Sequence, residues 1–564
     1  MNRTLLKIIC LLLALSLTVT LAGCGGEDTA GEEGPAEGSA RPDDGEEDPG
    51  TEAEEASEED DGEEASADVK GSRQGTAKEI QATYQADHIF SLNTMAGESF
   101  NPYTTTSAWN RVVSMLVYDT LVATDGNFEA QPNLVTRWET ADGIAWTFYV
   151  DTSRKFHDGG TMTAGDAVYS IDTARNSYDG RYTKRFSHIR SLYAAGTEAF
   201  VVELDQPNWR FYELLNIPCI ETGTLGYEQP PGTGPYKFNS RGTSLVLDAN
   251  HPNAKKIPLN TIHLKRYTDP EDILQAFEDS LLDLVTNNPA DMSSLGYSSA
   301  NLIKYVDTTN MHYLGFNTLR GLFSQPIYRS LITYAIDRES IISTSYQGSA
   351  VAATMPIHPN SILYPRTLAK TLAYSEENLA IALQNSGAQD LDMDGVLDFG
   401  QLRGEIVFLV CSDSTAKVAA ARQIATQLRN VGFSVIMSEL KYDDYINALT
   451  EGRFDIYYGE VKICNDWDLS ELVAANGSLN YGGVRDPNLE GFLQAFVASS
   501  TDTIQANSEA LYTYFAQCAP ITAICFEKLQ VLYHRGVLTT IEPTQDNIFN
   551  KIEEWTVDLG TNKK

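Results

Sequence analysis

The stretch EIVFLVCSDSTAKVAAARQIATQLRNVGFSVIMSEL, residues 405–440, contains the clearest fold signal in the chain. Residues 405–410 form a continuous apolar run of strand length, and SVIMSEL at 434–440 forms a second strand pattern. Between them, apolar residues recur at helical spacing, and Gly432 supplies the helix stop. The residues on the apolar face of this helix are Val418, Ala421, Ala425 and Leu428. A strand, a helix and a strand in this order predict parallel strands with a right-handed crossover, so the predicted fold class is α/β.

A second informative stretch is KFHDGGTMTAGDAVYS, residues 155–170, where His157 stands beside Asp158. Such a pair can serve as a general base with its orienting group, but that chemistry also needs a nucleophile or a metal. No catalytic motif accompanies the pair, so we interpret it as a turn in which Gly159 and Gly160 take positive φ. The sequence predicts no enzymatic activity.

The residues that surround this turn have regular patterns. Residues 146–151 and 200–205 alternate apolar and polar side chains, as half-buried strands do. Thr163 and Asp166 have the spacing of a helix capping box, in which each serves a backbone N–H of the first turn. The sequence therefore predicts a strand, a glycine turn, a capped helix and a strand.

The length and the charge distribution of the chain indicate how many domains to expect and which segment lies outside them. Its 564 residues exceed one ordinary core, so two or more domains are expected. Residues 27–68 contain about 20 carboxylates, and Arg41 is their only basic residue. This segment therefore supplies roughly half of the formal net charge of -36. Residues 24–85 have almost no residues that form a core, and we interpret them as an acidic disordered tether. No basic run is present, which argues against nucleic acid as a partner.

The first 24 residues have the pattern of an export signal. Arg3 and Lys7 precede the apolar run at 8–20, which is too short for a comfortable membrane span. LAGC at 21–24 follows and resembles a bacterial lipobox, with lipid attachment expected on the thiol of Cys24 and removal of the signal peptide 1–23. The alternative is an ordinary signal peptide with a chance cysteine. A lipid on Cys24 would hold the chain on the outer membrane face.

The remaining cysteines and one acidic loop are candidates for other chemistry. The five cysteines after the signal lack CxxC spacing, and we interpret most of them as small buried apolar residues; a Cys518–Cys525 bridge is the alternative. DLDMDGVLD at 390–398 resembles a calcium loop, but Gln401 stands where a bidentate Glu is expected. The candidate ligands are Asp390, Asp392, Asp394 and Asp398. An Asp/Gly turn is the favoured interpretation, and the sequence predicts no required cofactor.

NDWDLSEL, residues 465–472, follows an apolar strand pattern and combines charge with an aromatic residue. Asp466 and Asp468 flank Trp467, an arrangement that suits capture of an amino group by ion pairing and stacking. The alternative is that Asp468 or Ser470 caps the helix that follows.

Several segments of the chain form a set with a specific order. They are 117–170, which contains WTFYVDTSRKFHDGGTMTAGDAVYS, GTGPYKF at 232–238, YLGFNT at 313–318, SLITYAIDRESII at 330–342, DLDMDGVLDFG at 390–400 and SLNYGGVRDPNLEGFL at 478–493. In this order they resemble the extracellular solute-binding proteins, family 5, of peptide and nickel ABC transporters, over roughly residues 90–540. Each motif is weak alone, whereas their order and spacing are specific.

This resemblance implies a two-lobed periplasmic-binding-protein-like fold, type II of the large peptide-binding class, with a hinge and an interlobe cleft. The implied parts are domain I at 86–314 with a smaller subdomain at about 118–230, domain II at 315–525, and a return to domain I at 526–564. It also implies ligand capture without catalysis and docking of the closed form on ABC permease subunits.

The resemblance also implies site residues. Family members of peptide type commonly bind the α-amino group of the ligand through an Asp in the segment that here reads CNDWDLSEL, and we favour Asp466 over Asp468. This chain has Leu469 where the family often has Pro. The other residues expected near the cleft are Asn101 and Tyr103 of FNPY, Trp467, and Asn480 with Tyr481 of LNYGG. We identify no arginine for the ligand carboxylate.

The first functional hypothesis is a lipid-anchored, monomeric substrate-binding protein for the uptake of short peptides on the extracytoplasmic face of a Gram-positive cell membrane. The alternatives are the same fold with a nickel chelate, a sugar or another small solute as ligand, and a surface receptor without a transport role.

Overall fold

The computed structural model describes residues 89–177, 181–288, 301–402 and 404–560. These residues all belong to one structural unit. The predicted signal peptide, Cys24 and the tether at 24–85 lie outside the described residues. Within the described ranges, no helix has both the length and the apolar character that crossing a membrane requires.

The strands and helices are numbered here in chain order. The strands are β1 Ser91–Met95, β2 Val122–Thr124, β3 Ala130–Pro132, β4 Val135–Thr140, β5 Ala145–Val150, β6 Ile189–Ala194, β7 Ala199–Leu204, β8 Tyr236–Phe238, β9 Ser244–Leu247, β10 Thr261–Tyr267, β11 Leu284–Asn287, β12 Asn301–Phe316, β13 Ala350–Ala352, β14 Glu405–Cys411, β15 Ser434–Leu440, β16 Ile456–Lys462, β17 Ile521–His534, β18 Leu538–Thr539 and β19 Thr556–Val557. The helices are α1 Ala108–Ser114, α2 Ala164–Arg175, α3 Pro270–Glu278, α4 Pro326–Ala335, α5 Arg338–Ser345, α6 Arg366–Leu372, α7 Glu376–Ser386, α8 Thr415–Val431, α9 Tyr442–Thr450, α10 Ser470–Val473, α11 Pro487–Val497 and α12 Ile504–Cys518.

The strand, helix and strand predicted for residues 405–440 are confirmed as β14, α8 and β15. The two strands pair in parallel, with Glu405 opposite Ser434 and Cys411 opposite Leu440. The side chain of Ser414 caps α8, and Gly432 ends it at φ 107°, a conformation that costs glycine little. The α/β fold class is therefore confirmed in this region.

One large sheet contains eleven of the strands in the described residues. Its strand order is β15-β14-β16-β12-β17-β11-β1-β10-β9-β8, and β13 pairs with β17. Its two long strands, β12 and β17, pair with each other antiparallel, and this pairing shifts register between Asp307 and Met311. Before the shift β17 also pairs with β11, and after it β12 also pairs with β16. Both strands therefore pass from one half of the sheet to the other.

This register shift divides the described residues into two parts. Lobe I comprises the described residues of 89–307 together with 528–560, and lobe II comprises those of 311–526. We call residues 308–310 and the facing Glu527 the crossing bulge, because a bulge is where paired strands bend most easily. The domain boundaries expected after residues 314 and 525 are close to this bulge in sequence, and they stay a prediction.

The apolar core residues of lobe I and of lobe II fall mostly into different clusters. Lobe II has two, one on each face of the sheet: core A contains Leu314 and Tyr458, and core B contains their strand neighbours Tyr313 and Tyr457. Phe128, which belongs to lobe I, is part of core B. The two lobes are therefore packed together at core B.

The stretch that contains His157 is architectural, as predicted. The ring of His157 lies between two backbone groups: Nδ1 accepts from the N–H of Gly232 at 3.3 Å, and Nε2 lies 2.9 Å from the carbonyl of Gly234. Burial lowers the pKa of His157. Gly159 has φ 100°, whereas the positive φ expected for Gly160 is wrong, because a hairpin holds Gly160 between Asp158 Oδ1 and the N–H of Phe156.

The helix after this turn begins as the capping-box pattern predicts. Asp166 Oδ2 accepts the backbone N–H of Thr163 at 2.9 Å, and α2 starts at Ala164. Asp166 Oδ1 accepts the backbone N–H and the hydroxyl of Thr222 at 2.9 and 2.7 Å. This buried carboxylate therefore joins the helix start to a distant loop.

The cysteines agree with the main interpretation, since most of the five are buried. Cys219, Cys518 and Cys525 are buried, while Cys411 and Cys464 are half-buried, and all five are free thiols. The alternative of a Cys518–Cys525 bridge is therefore wrong in this structure.

Candidate ligand-binding site

The segment Asn465–Asp468 connects β16 to α10 at the boundary between the lobes. Trp467 is fully buried and adopts φ 60°, a left-handed conformation that costs a bulky residue of the order of 1–3 kcal/mol. Its ring packs edge-on against Phe128 of lobe I and Phe526 of β17, at centroid distances of 5.7 and 6.3 Å. This aromatic packing holds the strained loop in place.

Asp466 points its carboxylate at lobe I. Its Oδ2 accepts a hydrogen bond from Asn208 Nδ2 at 3.0 Å, and its Oδ1 accepts the backbone N–H of Asp468 at 3.3 Å. Only 6% of the residue is exposed. Burial, followed by the negative charge of Asp468, raises the pKa of Asp466 to about 6. A buried carboxylate of this kind is suited to bind a cationic group.

Asp468 has a different position. Its Oδ1 accepts the backbone N–H of Ser470 at 2.9 Å and the Ser470 hydroxyl at 2.6 Å. The N-cap residue of the short helix α10 is Leu469, and Asp468 serves the first N–H of the helix from one residue earlier, which is close to the capping role that the alternative interpretation proposed. Of the two aspartates, Asp466 is therefore the one whose carboxylate bonds across the lobe boundary.

Arg210 lies beside Asp466 within an acidic cluster of lobe I. Its Nη2 is 3.3 Å from Glu213 Oε1 and 3.8 Å from Glu129 Oε1, and it donates to the carbonyl of Asn465 in lobe II at 3.2 Å. Burial raises the pKa of Glu213 to about 8 even though Arg210 opposes the shift. Glu213 Oε2 and Arg210 Nε are buried without a hydrogen-bond partner. The cluster therefore contains more carboxyl groups than one guanidinium satisfies.

The sequence analysis missed Asn208, Arg210, Glu213 and Glu129. The segment QPNWRFYELL at 206–215 places polar residues directly after β7, and this position at a strand end was the available signal. Nothing in that segment indicates which distant loop it faces.

Other contacts close the boundary between the lobes around this cluster. Asn465 Nδ2 donates to Thr124 Oγ1 at 3.3 Å, and the N–H of Trp209 donates to the carbonyl of Val497 at 3.3 Å. Together with the bonds of Asn208 and Arg210, these contacts bring lobe I onto lobe II. The structure therefore shows the lobes in contact at the Asp466 loop.

The other residues expected near the cleft have structural partners. Asn101 is buried and donates to the carbonyls of Leu225 and Tyr227, and the hydroxyl of Tyr103 donates to the carbonyl of Pro218. Burial raises the pKa of Tyr103.

Asn480 donates to the carbonyls of Ala474 and Val484, both at 2.9 Å, and the ring of Tyr481 meets Tyr457 edge-on. None of these recorded contacts joins Asn101, Tyr103, Asn480 or Tyr481 to Asp466, and their place in the ligand site stays a prediction.

The acidic loop at 390–398 is exposed in lobe II. Carboxylate oxygens of Asp390, Asp392 and Asp398 lie within 4.8 Å of one another. They also accept backbone N–H groups of the loop, among them those of Gly395 and Leu391, both at 2.9 Å. These hydrogen bonds are those of a tight turn, and calcium binding here stays the alternative.

Solved structures share this fold. The oligopeptide-binding protein AppA of Bacillus subtilis, in complex with a nonapeptide, matches with a TM-score of 0.60 and 20% identity, over 84% of this chain and 99% of AppA. NikA of Brucella suis, in complex with Fe(III)-EDTA, matches with a TM-score of 0.68 and 18% identity, over 83% of this chain and all of NikA. At these identities the likeness shows the fold, and the two-lobed expectation is confirmed.

Comparison of the amino-acid sequence with known proteins identifies the family. The Bacillus subtilis oligopeptide-binding protein AppA is 24% identical over 376 residues, which are 63% of this chain and 69% of AppA. The family model described as "Bacterial extracellular solute-binding proteins, family 5 Middle" matches residues 129–473, more than half of the chain. The chain therefore belongs to the bacterial extracellular solute-binding proteins of family 5.

Proposed function

We propose that this protein captures short peptides between lobe I and lobe II and delivers them to the membrane permease of an ABC importer. The observation that carries the proposal is the buried Asp466 carboxylate, which faces lobe I beside an acidic cluster. Similarity to a protein named for oligopeptide binding supports the ligand class.

The cluster favours a ligand that brings positive charge. Asp466 and Glu213 both have raised pKa values, of about 6 and about 8, because burial disfavours their charged forms. A bound α-ammonium group would lower both pKa values and supply the hydrogen bonds that buried carboxylates need. In this proposal the ammonium group takes the place of the Asn208 amide on Asp466.

The test combines one chemical change in the ligand with one substitution in the protein. Calorimetry compares free and N-acetylated forms of the tightest peptide from a library, with the wild-type chain and with Asp466→Asn. For the wild type we expect acetylation to weaken binding about 30-fold or more, since breaking a buried charge pair costs about 2–5 kcal/mol. In Asp466→Asn the two peptide forms should bind with similar affinity.

Asp486→Asn is the matched control, because Asp486 caps α11 and is not among the groups that shift the pKa of Asp466, so the preference for a free amino group should stay intact. If the wild type binds the acetylated peptide as tightly as the free one, the role of Asp466 is wrong. Mass spectrometry of the ligand that co-purifies under native conditions identifies the solute independently.

We further propose that the mature chain is a monomer held on the outer membrane face by a lipid on Cys24. The LAGC pattern at residues 21–24 supports the anchor. A Cys24→Ser variant should move from the membrane fraction to the medium. We propose no catalytic step and no required cofactor for ligand capture.

A further inference from the structure

A second group of ionisable side chains lies at the crossing bulge, apart from the peptide site. His312 of β12, Glu460 of β16 and Glu527 of β17 come from three strands that are neighbours in the sheet. The ring of His312 packs against Tyr346 and Tyr458, which belong to core A. This His–Glu–Glu cluster therefore lies on the face of the sheet opposite to Trp467, which belongs to core B.

Two buried atoms of the cluster lack hydrogen-bond partners. His312 is fully buried and Glu527 is 4% exposed. His312 Nε2 and Glu527 Oε1 are 3.8 Å apart, too far for a hydrogen bond, and neither atom has another partner. A buried polar atom left in this state costs about 1–3 kcal/mol. Because the two atoms are only 3.8 Å apart, one small group bound between them would satisfy them together.

Neighbouring groups hold these side chains in position. Asn310 Nδ2 donates to Glu460 Oε1 at 2.5 Å and to Glu527 Oε2 at 2.7 Å. Lys417 pairs with the other oxygen of Glu460. His312 Nδ1 lies 3.0 Å from the hydroxyl of Tyr346. In the tautomer that carries its proton on Nδ1, the Nδ1–H group donates a hydrogen bond to the Tyr346 hydroxyl. The lone pair of Nε2 then points toward Glu527.

The geometry suits a small divalent metal ion. One ligand atom from each of the three side chains can be chosen so that all lie within 4.8 Å of one another. Ligand atoms about 2.0–2.2 Å from a tetrahedral Zn²⁺ are about 3.4 Å apart, so the 3.8 Å between Nε2 and Oε1 needs only a small adjustment. One imidazole and two carboxylates favour a transition metal over calcium or magnesium, which prefer oxygen ligands alone.

We propose that His312, Glu460 and Glu527 bind one divalent transition-metal ion of the zinc class at the crossing bulge. The ion ties β12, β16 and β17 together where the two long strands shift register. Glu460 is partly exposed, which gives the ion a route from solvent. Asn310 and Tyr346 act as positioning residues, since they orient the ligands without touching the ion.

The test is calorimetric titration of the full chain with Zn²⁺ in an excess of Ca²⁺ and Mg²⁺, which occupy sites made of carboxylates alone. We expect one equivalent to bind to the wild type, and we expect His312→Gln and Glu527→Gln each to weaken it at least tenfold. His358→Gln is the matched control, because His358 is also buried with Nε2 3.8 Å from a carboxylate, that of Asp307. It should bind Zn²⁺ like the wild type.

X-ray absorption of the zinc-loaded wild type gives a second readout that needs no variant to fold. A shell of nitrogen and oxygen with one imidazole supports the site, whereas sulfur in the shell would assign the ion to a cysteine and overturn the proposal. Failure of the wild type to bind Zn²⁺ under these conditions, or equal binding by His312→Gln, would also overturn it.

Discussion

Asp466 is buried and has a raised pKa, and these two properties determine how the site responds to pH. Its pKa moves from an ordinary 3.8 to about 6 because burial disfavours the charged form. The charged carboxylate therefore costs stability above pH 6, and this cost disappears as the pH falls below 3.8. We expect Asp466→Asn to be more stable than the wild type at pH 7 by about 1–3 kcal/mol, and equally stable at pH 3.5.

Thermal unfolding of both proteins at these two pH values checks this prediction. The same difference in melting temperature at both pH values would mean that the substitution acts through packing, since the amide and the carboxyl differ in charge only at the higher pH. Glu439→Gln is the control. Glu439 pairs with Arg422 at the surface, and its pKa is lowered, which is the opposite of the shift at Asp466.

The side-chain amide of Asn208 donates a hydrogen bond to the same oxygen of Asp466 that an incoming ammonium group would need. The bond between Asn208 Nδ2 and Asp466 Oδ2, 3.0 Å, joins lobe I to lobe II. Without bound peptide, removing the amide leaves Asp466 Oδ2 without this partner when the lobes are in contact, at a cost of about 1 kcal/mol. We therefore expect Asn208→Ala to bind a free-amine peptide about fivefold more tightly in calorimetry. Weaker binding would show instead that Asn208 helps to hold the ligand.

The sequence predicted part of this site. A carboxylate next to an aromatic residue at a strand end is a local pattern, and it led to Asp466, Trp467 and Asp468. Asn208 and Arg210 could not be found in the same way, because their partners at Asp466 and Asn465 are 258 and 255 residues away in the chain. Their function depends on how the lobes meet, which no local pattern encodes.

At the level of elements, Asp166 has two structural tasks at the start of α2. One oxygen completes the capping box with Thr163, and the other accepts two hydrogen bonds from Thr222. We expect Asp166→Ala to lower the free energy of unfolding by about 1–2 kcal/mol, since it removes the cap and two hydrogen bonds to Thr222, whose exposed donors can bond to water instead.

Thermal melting compares this variant with Asp172→Ala on the same helix. Asp172 is about half exposed and pairs with Arg175, a surface pair that contributes about 0–1 kcal/mol. Similar destabilisation by the two substitutions would contradict the account of Asp166.

Elements with their own periodicity were predictable from sequence, and elements that depend on distant pairing were not. The β14–α8–β15 unit follows from apolar spacing and Gly432 within a single stretch. The crossing bulge follows from the pairing of β12 with β17, and Thr308 bonds to Glu527 across 219 residues. The sequence around residue 308 reads as an ordinary strand, so the bend and the His–Glu–Glu cluster emerge only from the fold.

At the level of the whole molecule, Arg210 makes a charged contact between the lobes. Its side chain is 11% exposed, pairs with Glu213 and Glu129 in lobe I, and donates to the carbonyl of Asn465 in lobe II. A hydrogen bond from a charged donor contributes about 1.5–3 kcal/mol. Without it, the ligand-free closed form should lose at least about tenfold in population relative to open forms.

Small-angle X-ray scattering of the ligand-free chains checks this prediction. We expect Arg210→Ala to have a larger radius of gyration than the wild type, because the lobes separate about the crossing bulge. Arg137→Ala, which removes an exposed arginine paired with Glu139 in lobe I, should match the wild type. Saturating peptide should return Arg210→Ala to the wild-type radius, because a ligand that contacts both lobes favours the closed form. Equal radii for the two ligand-free variants would contradict a closing role for Arg210. The remaining contacts between the lobes, among them those of Asn208 with Asp466 and of Phe128 with Trp467, would then be enough to hold them together.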